Sequence, residues 1–220
     1  MKESKLDPFS KYPILKDKLI LLENQKNEHF KLYELSCSAN HNNIYITDFF
    51  IKIVLKRSLD LLDSFILLIK HWHHNISGSL LRMQIDNLIR IDYLSYRSDE
   101  LFTKEFLRGK SFRELKHTDG KRITDQLLID LCKKRYPWLQ KIYTETSKFI
   151  HLSSKNYYST IININEKDRT VSEYFSIGSP NWPEDSLIEF LDAFYTITNA
   201  ILEIVKKWID YKENLMNSTD

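Results

Sequence analysis

The chain has 220 residues, 42% of them apolar, and its 32 Lys and Arg against 30 Asp and Glu leave a net charge of +2. That length and apolar content suffice for one sizeable core, while so even a charge balance excludes a whole-molecule field for nucleic acid or an anionic membrane and leaves only local patches. Two cysteines, Cys37 and Cys132, exclude a disulfide framework and a zinc site built on sulfur, and the scarcity of element breakers, four Gly and five Pro, favours long helices.

The opening stretch MKESKLDPFSKYP lacks an apolar run of signal-peptide length, and no later stretch approaches about 18 uninterrupted apolar residues. A cytoplasmic protein without membrane contact is expected. From Ile14 to about Leu35 the apolar residues Leu15, Leu19, Leu22, Leu32 and Leu35 fall near helical spacing and predict one helix or two. SANHNN, Ser38 to Asn43, reads as a loop. Thr47 or Asp48 is the expected cap of a helix reaching about Trp72, whose second half, SLDLLDSFILLIKHW, is apolar on most sides and belongs at the centre of a bundle. NISGS follows, with Gly78 expected to supply a turn before a helix over Leu80 to Tyr96.

Between Phe102 and Arg122 the chain is basic and irregular, and only short helical pieces are expected in what reads as a solvated connection. Thr124 or Asp125 caps the next helix, to about Arg135. Pro137 imposes a boundary, because the residue before a proline avoids the helical region while the proline itself suits a first turn. The new helix is expected to reach Leu152. From Tyr158 to Ile177 the period changes to two: STIININ, the polar turn EKDR and TVSEYFSI predict a small β-hairpin. Pro183, Glu184 and Asp185 then open a last helix of roughly thirty residues with an apolar stripe from Leu187 to Ile209. The predicted fold is mainly α, one domain over residues 1–220, an antiparallel helical bundle with a hairpin inserted at about 158–177 before the last long helix.

Two rows of polar residues stand out. At about 100° per residue, Arg82, Asp86, Arg90, Tyr93 and Arg97 occupy one arc of roughly 80° on the Leu80 to Tyr96 helix. Ordinary i,i+4 ion pairs, Arg82 with Asp86 and Asp86 with Arg90, account for such an arc at about 0.2–0.5 kcal/mol each. The functional alternative is that Arg82 and Arg90, splayed from Asp86, offer guanidinium forks to a phosphate or carboxylate. Tyr143, Ser147 and His151 form the second row, at i, i+4, i+8, on the edge of the apolar face of the helix after Pro137. A histidine there is either a hydrogen-bonded core-edge residue or a group suited to proton transfer near neutral pH. Facing helices would bring the rows together. The run His71, Trp72, His73, His74 lacks acidic or sulfur ligands at a metal-binding spacing, and cations at a helix C-terminus suit the dipole without any metal. No metal or cofactor is expected.

Two phrases, FLRGKSFRELKHTDGKRITDQLLIDL and YPWLQKIYTETSKFIHLSSK, resemble an uncharacterised family of bacterial helical proteins in which an Arg-rich helix precedes a row of Tyr, Ser and His. The resemblance spans roughly Leu80 to Lys155 and places Arg82, Asp86, Tyr143, Ser147 and His151 at the matching positions. Such proteins are distantly similar to the HEPN class of helical bundles, many of which are ribonucleases or partners of nucleotidyltransferases in stress and phage defence. The motif of that class, Arg and His separated by four to six residues, is not matched: three residues separate Arg113 from His117, and fifteen separate Arg135 from His151. The two rows and the resemblance together lead to the expectation of a HEPN-like protein binding a phosphate-bearing ligand, RNA or nucleotide, through Arg90, Asp86, Tyr143 and Ser147, with Arg82 and His151 as the catalytic residues, His151 as acid or base, if RNA is cleaved. The competing expectation is a non-catalytic interaction module, in which the same residues form a structural network and the last helix pairs with a partner protein or a second copy.

Overall fold

The structure, a computed structural model, describes residues 12–97, 100–150, 161–173, 175, 177–178 and 182–215. Pro13 sits at the start of α1 (Pro13–Ser38), where its missing N–H leaves no helical bond unmade. The predicted first segment is thus a single helix, closed by Asn40, His41 and Asn42 in left-handed conformations. In α2 (Ile46–Lys70) the cap is Tyr45. Asp48 works from inside the first turn, accepting the Tyr45 N–H at 2.8 Å.

The next helix corrects the sequence reading. NISGS is no turn: α3 (His74–Tyr96) begins before it and Gly78 lies inside the helix. The glycine serves packing, since a Cβ there would stand 2.4 Å from the Phe149 ring, so it opens the space through which the end of a neighbouring helix reaches α3. The segment from 100 to 123 is likewise more than a solvated connection. A short α4 (Glu100–Leu107) and the following loop bury Phe102, Phe112, Leu115 and Ile123. Phe112 packs against Phe102, Phe106, Phe50 and Tyr93 with ring centroids 5.3–6.3 Å apart. The basic residues of the segment remain outside, Lys104 on Glu100 and Arg108 on Glu105.

Thr124 caps α5 (Asp125–Cys132), its hydroxyl accepting the Leu127 N–H at 3.2 Å. The chain breaks at Pro137 as its sequence requires, and α6 (Leu139–Ile150) begins two residues later. Strands β1 (Ile161–Asn165) and β2 (Thr170–Glu173) pair antiparallel around the turn 166–169. The outer parts of the predicted hairpin, at 158–160 and beyond Glu173, and residues 151–152 of the predicted helix fall outside the described residues or strands. The last helix is α7 (Glu184–Asn214), opening with Glu184 and Asp185 in its first turn. None of the described helices is long and apolar enough to cross a membrane.

In this mainly α bundle α3 is the hub, packed against α2, α5, α6 and α7, while α1 lies across α2 and α7. The apolar stripe of α7, from Leu187 through Phe194 to Ile209, is buried. Phe194 stacks on Phe65 of α2 at 4.0 Å between centroids. This stripe is occupied by the chain's own helices. One buried ion pair fixes the α1, α2 and α7 ends. Lys212, 0% exposed, donates to Asp48 Oδ2 at 3.0 Å and to the Ser36 carbonyl at 2.9 Å, while Trp208 Nε1 donates to Asp48 Oδ1 at 2.7 Å. Removing one member leaves the other charge buried without its counter-ion, at a cost of about 3–5 kcal/mol. Lys212→Ala is therefore expected to lower the unfolding free energy by that amount in urea titrations at neutral pH; a loss below about 1 kcal/mol would show that water reaches Asp48.

Candidate functional site

The charged arc of α3 meets three other helices. Arg82, whose side chain is 11% exposed, donates from Nη2 to Asp125 Oδ2 at 3.0 Å, so its carboxylate partner is on α5 and not, as its spacing suggested, Asp86. Arg90 bridges both acids, bonding Asp86 through Nη1 and reaching Asp125 Oδ1 from Nη2 at 3.4 Å. A third guanidinium comes from α2, where Arg57 Nη1 donates to Asp86 Oδ2 at 3.1 Å and to Asn87 Oδ1 at 2.5 Å. Three guanidinium groups thus share two carboxylates. Burial pushes Arg90 below its ordinary value; Asp125 opposes that shift, whereas Arg57 and Arg82 add to it by repulsion. Burial lowers Arg57 also.

Among the described residues the two predicted rows touch at one point: the Arg82 guanidinium lies over the Tyr143 ring, 3.9 Å from its centre. Ser147 instead turns its hydroxyl back to the Tyr143 carbonyl at 2.7 Å. His151 lies outside the described residues. Tyr93 and Arg97, the other members of the arc, leave the cluster for the loop after α4, where Arg97 donates to the Tyr93 hydroxyl at 2.7 Å and that hydroxyl meets His117 Nδ1 at 2.9 Å. The histidine run diverges: His71 is exposed, whereas His74 is buried with its ring 4.8 Å from that of Trp182. Among the described residues no three His, Cys, Asp or Glu side chains group as a metal site would require.

Arg57, Asp125 and Asn87 were not singled out by the sequence reading. Asp125 looked like a capping residue, and Arg57 one more cation on a long helix. A further set of polar residues on α3 was also overlooked: Gln84, Asn87 and Asp92 lie off the charged arc and are 0%, 2% and 2% exposed. Asp92 accepts Arg135 Nε at 2.9 Å and the Cys132 thiol at 2.8 Å. Burial, reinforced by that carboxylate, holds the thiol far above its usual range and unreactive.

Gln84 and Asn87 belong to a chain of hydrogen bonds running inward from the arginines. Asn87 Nδ2 donates to Gln84 Oε1 at 3.0 Å, and Gln84 Nε2 donates to Ser58 Oγ at 2.7 Å and Thr198 Oγ1 at 3.0 Å. Ser58 meets His29 Nε2 at 2.9 Å, and His29 Nδ1 meets the Gln25 carbonyl at 2.7 Å. Since a carbonyl only accepts, Nδ1 carries the proton, and Nε2 accepts from Ser58. Every link then points the same way, from a guanidinium that can only donate to a carbonyl that can only accept.

Compared with known proteins, the chain matches no family model, and no curated protein or solved structure is significantly similar to it.

Burial keeps His29 neutral, pulling its pKa below the ordinary 6.5 against the opposing bond to Gln25. The unfolded chain therefore binds this proton first, and the stability it contributes is complete above about pH 6.5 and lost as pH falls below it, by up to about 1.4 kcal/mol per unit. The melting temperature should fall between about pH 7.5 and pH 5.5, and fall less steeply in His29→Gln. Equal slopes for the two proteins would place the titration elsewhere.

Proposed function

We propose that the chain binds a phosphate-bearing ligand, a nucleotide or a stretch of RNA, at the cluster of Arg57, Arg82 and Arg90. One observation carries the reading: three guanidinium groups share two carboxylates, so a locally positive, pre-oriented patch persists in a chain whose overall charge is nearly balanced. Each guanidinium has further N–H donors directed around its plane, the geometry that phosphate oxygens match. Asp86 and Asp125 fix the orientation, and Tyr143 backs Arg82. The resemblance to HEPN-like bundles agrees in ligand class, and the reading places the protein in the cytoplasm, in stress or phage defence. In its ribonuclease form His151, directly after α6, moves the proton and Arg82 steadies the phosphate.

A second reading is favoured by a specific feature of the same cluster. Arg82 and Arg90 already have carboxylate and ring partners, as members of a structural network in a non-catalytic interaction module would.

Arg57 separates the two because its side chain is the most solvated of the three, 39% exposed. In Arg57→Gln the amide can still donate to Asn87. Binding of a single-stranded oligoribonucleotide and of ATP would be measured by titration at about 50 and 200 mM salt, since phosphate contacts weaken steeply with ionic strength. The expected result is a melting temperature within a few degrees of the parent with affinity reduced about tenfold, equivalent to about 1.4 kcal/mol. No binding by the parent at low salt, or binding that Arg57→Gln leaves intact, overturns the phosphate reading.

A further inference from the structure

The outer face of α2 presents a second apolar stripe that, among the described residues, is left half-exposed. Phe50, Val54, Leu61 and Phe65 face the core, whereas Phe49 and Ile53 are 49% and 46% exposed on the other side. With Ile46 and with Leu107 at the end of α4, they floor an open groove of about 760 Å³. Its α2 wall runs from Ile46 to Asp60, about 21 Å or four helical turns. The inner face of α2 packs on α1, α3 and α7 and its start touches α4, but among the described residues Phe49 and Ile53 stay half-exposed, an apolar face of the kind that marks an interaction surface.

The rim of the groove is basic. Lys52, Lys56 and Arg57 line it against a single acid, Asp60, which Lys56 already engages. The Lys52 ammonium lies 5.8 Å from the centre of the Tyr33 ring of α1.

We infer that this groove receives an acidic amphipathic helix of a partner protein, its apolar anchors on Ile46, Phe49, Ile53 and Leu107 and its carboxylates against Lys52 and Lys56. Three considerations select that occupant. Ile46, Phe49 and Ile53, at i, i+3 and i+7, form an apolar stripe about two turns long beside Leu107, a surface on which the apolar face of another helix can lie. A second copy of this chain would oppose one basic rim to another, which complementarity disfavours. A nucleic acid would satisfy the rim but not the floor: bases stack on flat faces, and Phe49 offers one ring among aliphatic side chains. The inference stands apart from the phosphate reading, because the groove is shaped by side chains outside the arginine cluster, with Arg57 alone common to both.

The test uses the full chain and three fluorescent probes: a helical peptide with Leu at i, i+3 and i+7 and Glu elsewhere on its polar face, the same peptide with Lys for Glu, and a single-stranded oligoribonucleotide. The acidic peptide is expected to bind and the basic one not. Phe49→Ser and Ile53→Ser, at exposed positions, should each weaken binding at least tenfold with little change in melting temperature. Lys52→Glu combined with Lys56→Glu should reverse the preference between the peptides, a gain that misfolding cannot imitate. Failure of the acidic peptide to bind, or binding indifferent to Phe49 and Ile53, overturns the inference. Displacement of the peptide by the oligoribonucleotide, with RNA binding lost in Phe49→Ser, assigns the groove to nucleic acid instead. A dimer in sedimentation that Phe49→Ser dissociates assigns it to a second copy.

Discussion

Gln84 and Asn87 set the terms for the rest of the bundle. Both stand on its hub helix with almost no access to water, and an amide buried without partners costs about 1–3 kcal/mol. The structure meets that demand with one chain of hydrogen bonds that crosses four helices: Arg57 and Ser58 on α2, Asn87 and Gln84 on α3, Thr198 on α7, and His29 with the Gln25 carbonyl on α1. Its ends fix its direction. A guanidinium has nothing to accept with and a carbonyl nothing to donate, so the amides and the hydroxyl between them have one satisfying arrangement. A one-turn slip of α2 against α3 would orphan several buried groups at once, which selects the observed register more sharply than apolar packing alone.

The same chain connects the core to the charged surface. Arg57 ends the interior network on Asn87 and joins the exterior one on Asp86, where Arg90, Asp125, Arg82 and Tyr143 follow in turn. The arginines are consequently held by α2, α3, α5 and α6 together. A surface cluster of long cations would ordinarily lose much of its binding energy in ordering its own side chains. Here that ordering is complete in the folded chain itself, and it accounts for the burial of Arg82 and Arg90 beside apolar helices. The carboxylates hold the guanidinium planes, and three guanidinium groups against two carboxylates leave one positive charge uncancelled.

Much of this fold is legible in the chain's periodicities. The helices, the hairpin's change to period two, the break at Pro137 and the alignment of Arg82, Asp86 and Arg90 all follow from local spacing, which reports the face on which a residue stands. Spacing does not report what that face meets. Arg82 stands four residues from Asp86, yet its carboxylate is Asp125, brought in by the packing of α5. Gly78 resembles a turn glycine because the Phe149 ring that makes it necessary is far away in the chain, beyond α5. Gln84 and Asn87 pass unnoticed because a buried amide and a solvated one look alike in sequence. The aromatic anchors of α4 and the loop after it are hidden among basic residues that remain in solvent.

The unidirectional chain is tested most directly at its inner end. Imidazole nitrogen NMR on the protein labelled at histidine distinguishes the two neutral tautomers from the imidazolium, and a His29→Gln spectrum identifies the His29 signals. A neutral His29 with its proton on Nδ1 at about pH 7.5, charging only at lower pH than an ordinary histidine, is what the network requires. A proton on Nε2, or an imidazolium at that pH, would mean that Ser58 cannot donate to His29 and that the run of bonds from Arg57 to Gln25 does not exist as described.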